Sequence, residues 1–293
     1  MFENIRKNKV KSGIIISIFI LMITLIVYYI CMAFDLGEVS IIIALGVSII
    51  SAMLSYWNCD KMVLSINHAR PANEAEYKKL NNILDSLMVS SGLQHRPALY
   101  VIDDAQPNAF ATGRNPEHAV ICVTSALLER LDYYELEGVL AHELSHIYNY
   151  DIRLSAIVTV MVGMVVMLSD IFTRTFLFSG RDRDSDSKGN AILMIVGLIC
   201  LILSPIFAQL LQLAVSRKRE FLADATAVQF TRNPDGLISA LIKISEDPNE
   251  LSVANKATEN MYIANPFRNK KARNLFSTHP SIEDRIEALR NFK

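Results

Sequence analysis

The sequence predicts a mainly α-helical membrane protein with a small antiparallel β-sheet and four transmembrane helices. Apolar residues make up 51% of the 293 residues and charged residues only 20%, a balance that leans towards membrane proteins. Four apolar runs approach or exceed the roughly 20 residues that span a bilayer. Short β-like runs between the second and the third apolar run predict the sheet. The net charge of −1 and the lack of a basic stripe predict no nucleic-acid partner.

The four apolar runs define the expected transmembrane helices and the parts between them. Basic residues precede the first run and follow the last, so both termini are expected in the cytoplasm. The basic residues of the loop between the last two runs argue weakly against this orientation. An alternative, in which the last two runs form a buried hairpin of a soluble domain, stays open. The expected parts are an N-terminal region (1–57, with helices 13–34 and 39–57), a first cytoplasmic part (58–154), a hairpin (155–215, with helices 155–171 and 191–215) and a second cytoplasmic part (216–293).

Between the second and third runs, the pattern predicts a helix and then strands. Apolar residues at three- and four-residue spacing indicate an amphipathic helix over 74–90, and Gly92 provides a stop. Near the C-terminus, Pro280 suits the first turn of a final helix. The four cysteines form no C-x-x-C pair, which indicates neither a disulfide framework nor a cysteine zinc site. The strands are expected at 98–103, 108–113 and 118–124.

A helix that carries the motif H-E-x-x-H follows the strands. Asp132 and Glu135 have the spacing of a capping box that opens this helix. His142 and His146 are four residues apart and therefore share one face, whereas Glu143 falls within the apolar stripe. Two imidazoles at this spacing bind zinc, and the glutamate between them faces the metal-bound water. The alternative is a helix with two surface histidines and an exposed glutamate.

Catalytic zinc needs a third protein ligand and an open position for water. The extended motif H-E-x-x-H-x-x-G-x-x-H does not fit, because Asn149 and Ile152 occupy its glycine and histidine positions. The strongest candidate is Glu220, with Asp224 one helical turn further along. One carboxylate can bind zinc while the other holds the far nitrogen of a ligand histidine. We therefore predict one Zn²⁺ per chain, against the alternative of a surface helix with solvated charges.

The predicted topology brings both halves of this site to one side of the bilayer. His146 stands nine residues before the third apolar run, and Glu220 stands five residues after the fourth. At 1.5 Å per residue, these separations correspond to about 14 Å and about 8 Å from the membrane boundary. Two membrane helices between the halves return the chain to the side from which it left. This position predicts that the substrates are themselves membrane proteins.

Together these motifs resemble the HtpX family of membrane-bound zinc metalloproteases, which is related to the CAAX prenyl proteases. The resemblance rests on two N-terminal apolar runs, "NAFATG", "AHELSHI", a hairpin of apolar runs, "REFLADA" and "STHPSIEDRI". It implies a zincin-like domain of the gluzincin type, in which His142, His146 and Glu220 bind zinc and Glu143 is the general base. It also implies a bacterial cytoplasmic (inner) membrane location, an active site facing the cytoplasm, quality control of misfolded or damaged membrane proteins, and self-cleavage.

Two further roles follow from resemblances. His279, in "STHP", is expected to face the site and donate to the oxyanion, with a solvated turn histidine as the alternative. The segment "NAF" resembles the edge strand of thermolysin-type proteases. Asn108 and the backbone around Ala109 are therefore expected to bind an extended substrate by strand addition, with a plain sheet strand as the alternative. The other histidines have no partner at metal spacing and are expected at the surface: His68, His95 and His118.

These observations favour a zinc endopeptidase of the cytoplasmic membrane. A rival of another class is a non-catalytic membrane chaperone or scaffold with structural zinc. Structural zinc is closed by four protein ligands, and the sequence offers only three convincing ones. A narrower rival is a prenyl-type protease that acts at C-terminal C-a-a-X tails. Such an enzyme would require a large enclosed chamber, usually built from more membrane helices than the four expected here.

Overall fold

Two long helices open the chain, α1 (Phe2–Ala33) and α2 (Val39–Trp57), and they pack against each other. The computed structural model describes residues 2–33, 36–161, 217–253, 258–266 and 280–292. Both helices contain a stretch long and apolar enough to cross a bilayer, Arg6–Tyr29 and Val39–Trp57. These stretches agree with the first two predicted membrane helices. The third predicted run is described only over 155–161, which is helical, and the fourth lies outside the described residues.

The outer faces of α1 and α2 carry large exposed apolar side chains. Leu21 is 62% exposed, Ile42 71% and Leu54 60%. Soluble proteins rarely expose contiguous apolar patches of this kind, because water would solvate them at a cost. These faces therefore suit contact with lipid chains. The inner faces pack within the protein, where Phe19 shares an apolar cluster with Leu154 of the helical residues 151–161, named α7 below.

The amphipathic helix predicted over 74–90 is present after the two membrane helices. Helix α3 (Cys59–Ile66) and the short strand β1 (Arg70–Pro71) lead into α4 (Glu74–Ser91). Asn73 and Glu76 form a capping box at its start, which satisfies backbone N–H groups that have no partner within the helix. Gly92 follows the helix with a φ of 67°, a left-handed conformation that suits glycine. The predicted stop is thus at the predicted residue.

The predicted antiparallel sheet is wrong in its topology, because the sheet is mixed. Strands β2 (Ala98–Ile102), β3 (Ala109–Thr112) and β4 (Val120–Thr124) join β1 in the order β1-β2-β4-β3. Strand β4 inserts between β2 and β3, so it pairs in parallel with β2 and antiparallel with β3. In an antiparallel sheet of consecutive strands, β3 would lie between β2 and β4. Here β3 is instead left at the edge of the sheet, beside the motif helix.

Two of the remaining helices, at Arg217–Thr231 and Pro234–Glu246, pack closely against the motif helix. Pro280 lies before the N-cap residue Ser281, and not within the first turn as predicted. Three cysteines, Cys31, Cys59 and Cys122, are buried free thiols. The helices are α5 (Ser125–Arg130), α6 (Tyr133–Tyr148), α7 (151–161), α8 (Arg217–Thr231), α9 (Pro234–Glu246) and α10 (Ile282–Arg290), with 3₁₀ turns at Pro116–His118 and Glu259–Met261.

Helix α6, which carries H-E-x-x-H, lies at the centre of the main apolar core. Leu136, Val139, Leu140 and Leu144 are fully buried there, as the predicted stripe requires. Helix α9 approaches α6 very closely at Gly138, where an added Cβ would lie 2.8 Å from the backbone nitrogen of Leu237. The core therefore fixes α6 along its whole length, and with it the side chains of the motif.

Candidate metal centre

Helix α6 holds the three motif residues in a rigid frame. Asp132 and Glu135 form the predicted capping box at its start, and the buried stripe anchors its length. His142 is fully buried, Glu143 is 1% exposed and His146 is half-buried. The four-residue spacing puts the two histidine rings edge to face, with centroids 4.8 Å apart. The Nε2 atoms of both rings face a neighbouring helix.

That neighbour is α8, which presents Glu220 to both histidines. Its Oε2 lies 3.5 Å from His142 Nε2, and its Oε1 lies 3.7 Å from His146 Nε2. The two Nε2 atoms are 3.2 Å apart. One ligand atom from each of the three residues lies within 4.8 Å of the other two. The structure thus brings together the residues that were predicted as metal ligands from segments more than 70 positions apart.

The far nitrogen of each histidine contacts a buried carboxylate. Asp224 Oδ1 lies 2.9 Å from His142 Nδ1, and Asp151 Oδ2 lies 3.1 Å from His146 Nδ1. A carboxylate at Nδ1 keeps the proton on that nitrogen and leaves the Nε2 lone pair free for a metal. The contact of Asp224 is of the kind expected from its spacing to Glu220. Sequence reasoning missed Asp151.

Arg285 of α10 is a second residue that sequence reasoning missed. It is 1% exposed and forms two hydrogen bonds with Asp224, of 2.8 Å from Nε and 2.7 Å from Nη2. Its Nη1 donates to the carbonyl oxygen of Ile263 at 2.7 Å. A signal was present, because Arg285 lies three residues after Ile282 and four before Leu289, and so shares a helix face with these apolar residues. A charged residue on such a face needs a buried partner.

Burial and charge set the protonation of these groups. Burial raises the pKa of Glu143, because a carboxylate is poorly solvated in the protein interior. Burial alone would lower the pKa of His142, but its hydrogen bonds with Asp224 and Glu220 outweigh this effect and raise the pKa to about 9. Burial would likewise raise the pKa of Asp224, yet the Arg285 guanidinium holds it below its usual range. The site therefore combines a carboxylate that binds protons readily with one that stays ionised.

The donor set and an unpaired carboxylate both fit a zinc ion. Two imidazole nitrogens and one carboxylate oxygen are the ligands of many catalytic zinc sites. Both side-chain oxygens of Glu143 are buried and meet no hydrogen-bond donor within the part of the chain that the structure describes. An unpaired buried carboxylate is costly, and a bound cation with its water would offset that cost. The residues present therefore fit the metal that the motif implies.

The predicted substrate edge is occupied by the same chain. Asn108 and Ala109 are buried at the start of β3. The carbonyl oxygen of Ala109 accepts a hydrogen bond of 2.9 Å from the backbone N–H of Ile263. The side chain of Asn108 donates to the carbonyl oxygen of Ala264 at 3.0 Å and accepts from its N–H at 3.4 Å. Residues 263–264 therefore use the hydrogen-bonding groups that were expected to bind a substrate backbone.

The remaining predicted residues lie away from the centre or outside the described residues. His279 belongs to the second group, so its position relative to the site stays a prediction. The three histidines expected at the surface are exposed: His68, His95 and His118. A cavity beside the ligands is lined by Ala111, Ser155, Asn260 and Tyr262, among others. The candidate ligands His142, His146 and Glu220 line the same cavity.

Comparisons with known proteins agree with the resemblance that the motifs carry. A family model described as "Peptidase family M48" matches residues 74–293. A "Protease HtpX homolog" of Dictyoglomus thermophilum is 45% identical over 289 residues, which cover 99% of this chain and 94% of the relative. A protein of the same description from Lactobacillus helveticus is 42% identical over 296 residues, covering 99% of both. The crystal structure of S. mikatae Ste24p is similar with a TM-score of 0.47 and 18% identity, covering 99% of this chain and 66% of that one.

Proposed function

The chain belongs to peptidase family M48, as a membrane metallopeptidase of the HtpX type, and we propose that it is a zinc endopeptidase that cleaves misfolded or damaged membrane proteins. The observation that carries this proposal is the convergence of His142, His146 and Glu220 beside Glu143. Their ligand atoms lie within 4.8 Å of one another, and the carboxylate of Glu143 is buried without a hydrogen-bond donor in the described residues.

Zinc is the metal that suits this donor set, at one ion per chain. When bound, zinc supplies an acidified water, with a pKa near 7, and polarises the scissile carbonyl. His142 and His146 would bind it through Nε2, because carboxylates engage both Nδ1 atoms. Glu220 would contribute one carboxylate oxygen. Structural zinc would require a fourth protein ligand.

Glu143 is the proposed general base. Its carboxylate would accept a proton from the attacking water and deliver it to the leaving amine. Burial raises the pKa of Glu143, which makes its carboxylate a stronger proton acceptor than an exposed one. His279 remains the candidate donor to the oxyanion on the strength of the resemblance. Asn108 and the backbone of Ala109 are the proposed substrate contacts, reached when residues 263–264 yield the edge of β3.

The proposed site of action is the cytoplasmic face of the bacterial inner membrane. The centre lies next to the start of α7, where Asp151 contacts His146. The apolar residues of α7 pack against α1, one of the two candidate membrane helices. A protease held this close to lipid meets cytosolic loops and extracted ends of membrane proteins. With four membrane helices, the two catalytic parts (58–154 and 216–293) and both termini lie on that face. Self-cleavage follows from the same chemistry, because neighbouring copies share the membrane surface.

The chemistry is tested on the full-length protein in detergent. Glu143→Gln should retain the metal of the wild type and lose hydrolysis of an unfolded protein such as casein, while also remaining uncleaved during storage. Glu220→Ala should lose the metal. Glu129→Gln makes the same chemical change on the exposed end of α5 and should alter neither property. Unchanged hydrolysis by Glu143→Gln would contradict the role of Glu143 as the general base. A wild-type protein that binds metal but hydrolyses nothing would favour the non-catalytic scaffold.

The substrate class needs a separate test. One cleavable segment is presented in two forms in the same liposomes: as a soluble unfolded protein, and as a cytosolic loop tethered to a membrane helix. The proposal expects faster cleavage of the tethered form, because the enzyme and that form share a surface. Equal rates for both forms would contradict it.

A further inference from the structure

The N-terminal part of helix α1 contacts the turn that follows the motif helix. Asn8 lies among basic residues, yet it is only 6% exposed. Its side-chain amide donates to the carbonyl oxygen of Asn149 at 3.1 Å and to Oδ1 of Asp151 at 2.7 Å. The ammonium group of Lys9 lies 4.5 Å from the ring centroid of Tyr150. Two consecutive residues of α1 therefore contact three consecutive residues of the turn.

This turn has a conformation that needs such support. Helix α6 ends at Tyr148 and α7 begins at residue 151, so only two residues, Asn149 and Tyr150, connect the two helices. Tyr150 has a φ of 60°, a left-handed conformation that bulky residues rarely adopt. Asn149 closes the end of α6 with its side-chain amide, which donates to the carbonyl oxygen of Ser145. The position of the next residue, Asp151, depends on this conformation.

Asp151 connects the turn to the metal centre. Its Oδ2 lies 3.1 Å from His146 Nδ1, and its Oδ1 accepts the hydrogen bond from Asn8. Arg219 Nη1 lies 3.7 Å from the same Oδ1. Asp151 is 4% exposed, so water does little to fix or release it. A carboxylate whose two oxygens have separate partners cannot rotate freely. Its fixed orientation in turn fixes the orientation of the His146 ring.

We propose that Asn8 is a positioning residue of the metal centre, which holds Asp151 and through it His146. The centre would then be complete only when the first membrane helix is docked on α7. The packing of that helix supports this, because Ile15 and Phe19 share an apolar cluster with Leu154 and Ile157. The inference rests on the proposed function, in which His146 is a metal ligand. It adds a requirement that H-E-x-x-H alone does not contain.

The test uses the full-length protein and replaces the hydrogen-bond donor by an acceptor of the same shape. Asn8→Asp cannot donate to Asp151 and brings two carboxylates together. We expect the zinc affinity, measured by competition with a chelator, to fall roughly 10- to 100-fold. The visible absorption bands of the cobalt-substituted protein should also shift, because they report the ligand geometry. When Asp151→Asn is already present, adding Asn8→Asp should lower the zinc affinity no further. In the double variant the side chain at position 151 donates the hydrogen bond and the side chain at position 8 accepts it, so donor and acceptor are exchanged.

The controls separate positioning from folding and from the proposed function itself. Asn82→Asp makes the same change at an exposed position of α4 and should alter neither readout. If Asn8→Asp does not fold, Asn8→Ala removes the donor without adding charge and is judged by the same two readouts. A variant with the zinc affinity and cobalt bands of the wild type, even at reduced thermal stability, would overturn the inference. A wild-type protein that binds no metal would instead overturn the proposed function.

Discussion

Arg285 and Asp224 form a doubly hydrogen-bonded ion pair that is completely buried beside the candidate metal ligand His142. The guanidinium donates to both carboxylate oxygens, at 2.8 and 2.7 Å, and Asp224 also contacts His142 Nδ1 at 2.9 Å. The remaining nitrogen of the guanidinium, Nη1, donates to the carbonyl oxygen of Ile263. One arginine of the last helix thus connects the histidine of the motif helix to the segment that covers the edge of β3.

Replacing this arginine should damage both stability and metal binding. Arg285→Met leaves Asp224 buried without its main partner, which typically costs about 3–5 kcal/mol of unfolding free energy. Arg285→Lys keeps the charge but loses the planar pair of donors, so we expect an intermediate loss. Thermal unfolding and metal content of the purified variants measure the two effects. Arg290→Lys, an exposed change on the same helix, is the control. If Arg285→Met leaves the metal content unchanged, the ion pair has no role in metal binding.

The local parts of the site follow from sequence patterns, whereas its supporting contacts do not. The spacing of His142 and His146, the capping box and the apolar stripe are properties of one helix, and the structure has them as predicted. Glu220 could be proposed only through the chemistry of a third ligand. Asp151 and Asn8 gave no signal, because their hydrogen bonds join elements that no sequence periodicity relates.

The order of the strands was not predictable for a similar reason. The three predicted strands were found close to their predicted positions, since alternation and turn residues are local signals, whereas β1 was not predicted. The insertion of β4 between β2 and β3 is a tertiary choice. It leaves β3 at the edge, where Ala109 contacts Ile263. The likeness of "NAF" to a protease edge strand therefore pointed to a strand that does lie at the edge of the sheet, but not to residues 263–264, which contact it. Its role in binding substrate stays a prediction.

Asn108→Ala should weaken the binding of extended peptides more than their turnover. The side chain now makes its hydrogen bonds with Ala264, in the manner proposed for a substrate backbone. Losing one such contact costs about 0.5–1.5 kcal/mol, or a roughly 2- to 10-fold rise in KM. A contact made equally in the ground and transition states leaves kcat unchanged. Steady-state kinetics with an extended peptide measure both values. An unchanged KM together with lower thermal stability would assign Asn108 only to holding residues 263–264.

Glu135 should make the stability of the catalytic part depend on pH in the acid range. Burial would raise the pKa of Glu135, but hydrogen bonds from Lys243, Ser239 and the backbone of Asp132 outweigh it and lower the pKa below 4.5. A lowered pKa in the folded state means that this contribution is fully present above pH 4.5 and is lost as the pH falls through the folded value. Unfolding temperatures measured between pH 7 and pH 3 should therefore fall less for Glu135→Gln than for the wild type. Parallel curves would contradict a role for this carboxylate in acid stability.

Gly138→Ala should destabilise the protein although alanine favours helices. In an open helix this change would stabilise by about 1 kcal/mol. At Gly138 the new Cβ would lie 2.8 Å from the nitrogen and 2.9 Å from the Cα of Leu237, and backbone atoms cannot move away as a side chain can. Helices α6 and α9 would have to separate, at a cost of about 1–3 kcal/mol. Gly46→Ala in α2, where no atom lies within 4 Å of the new Cβ, is the matched control. Chemical denaturation in detergent measures both variants, and equal stability for the two would mean that the helices are not held in this close contact.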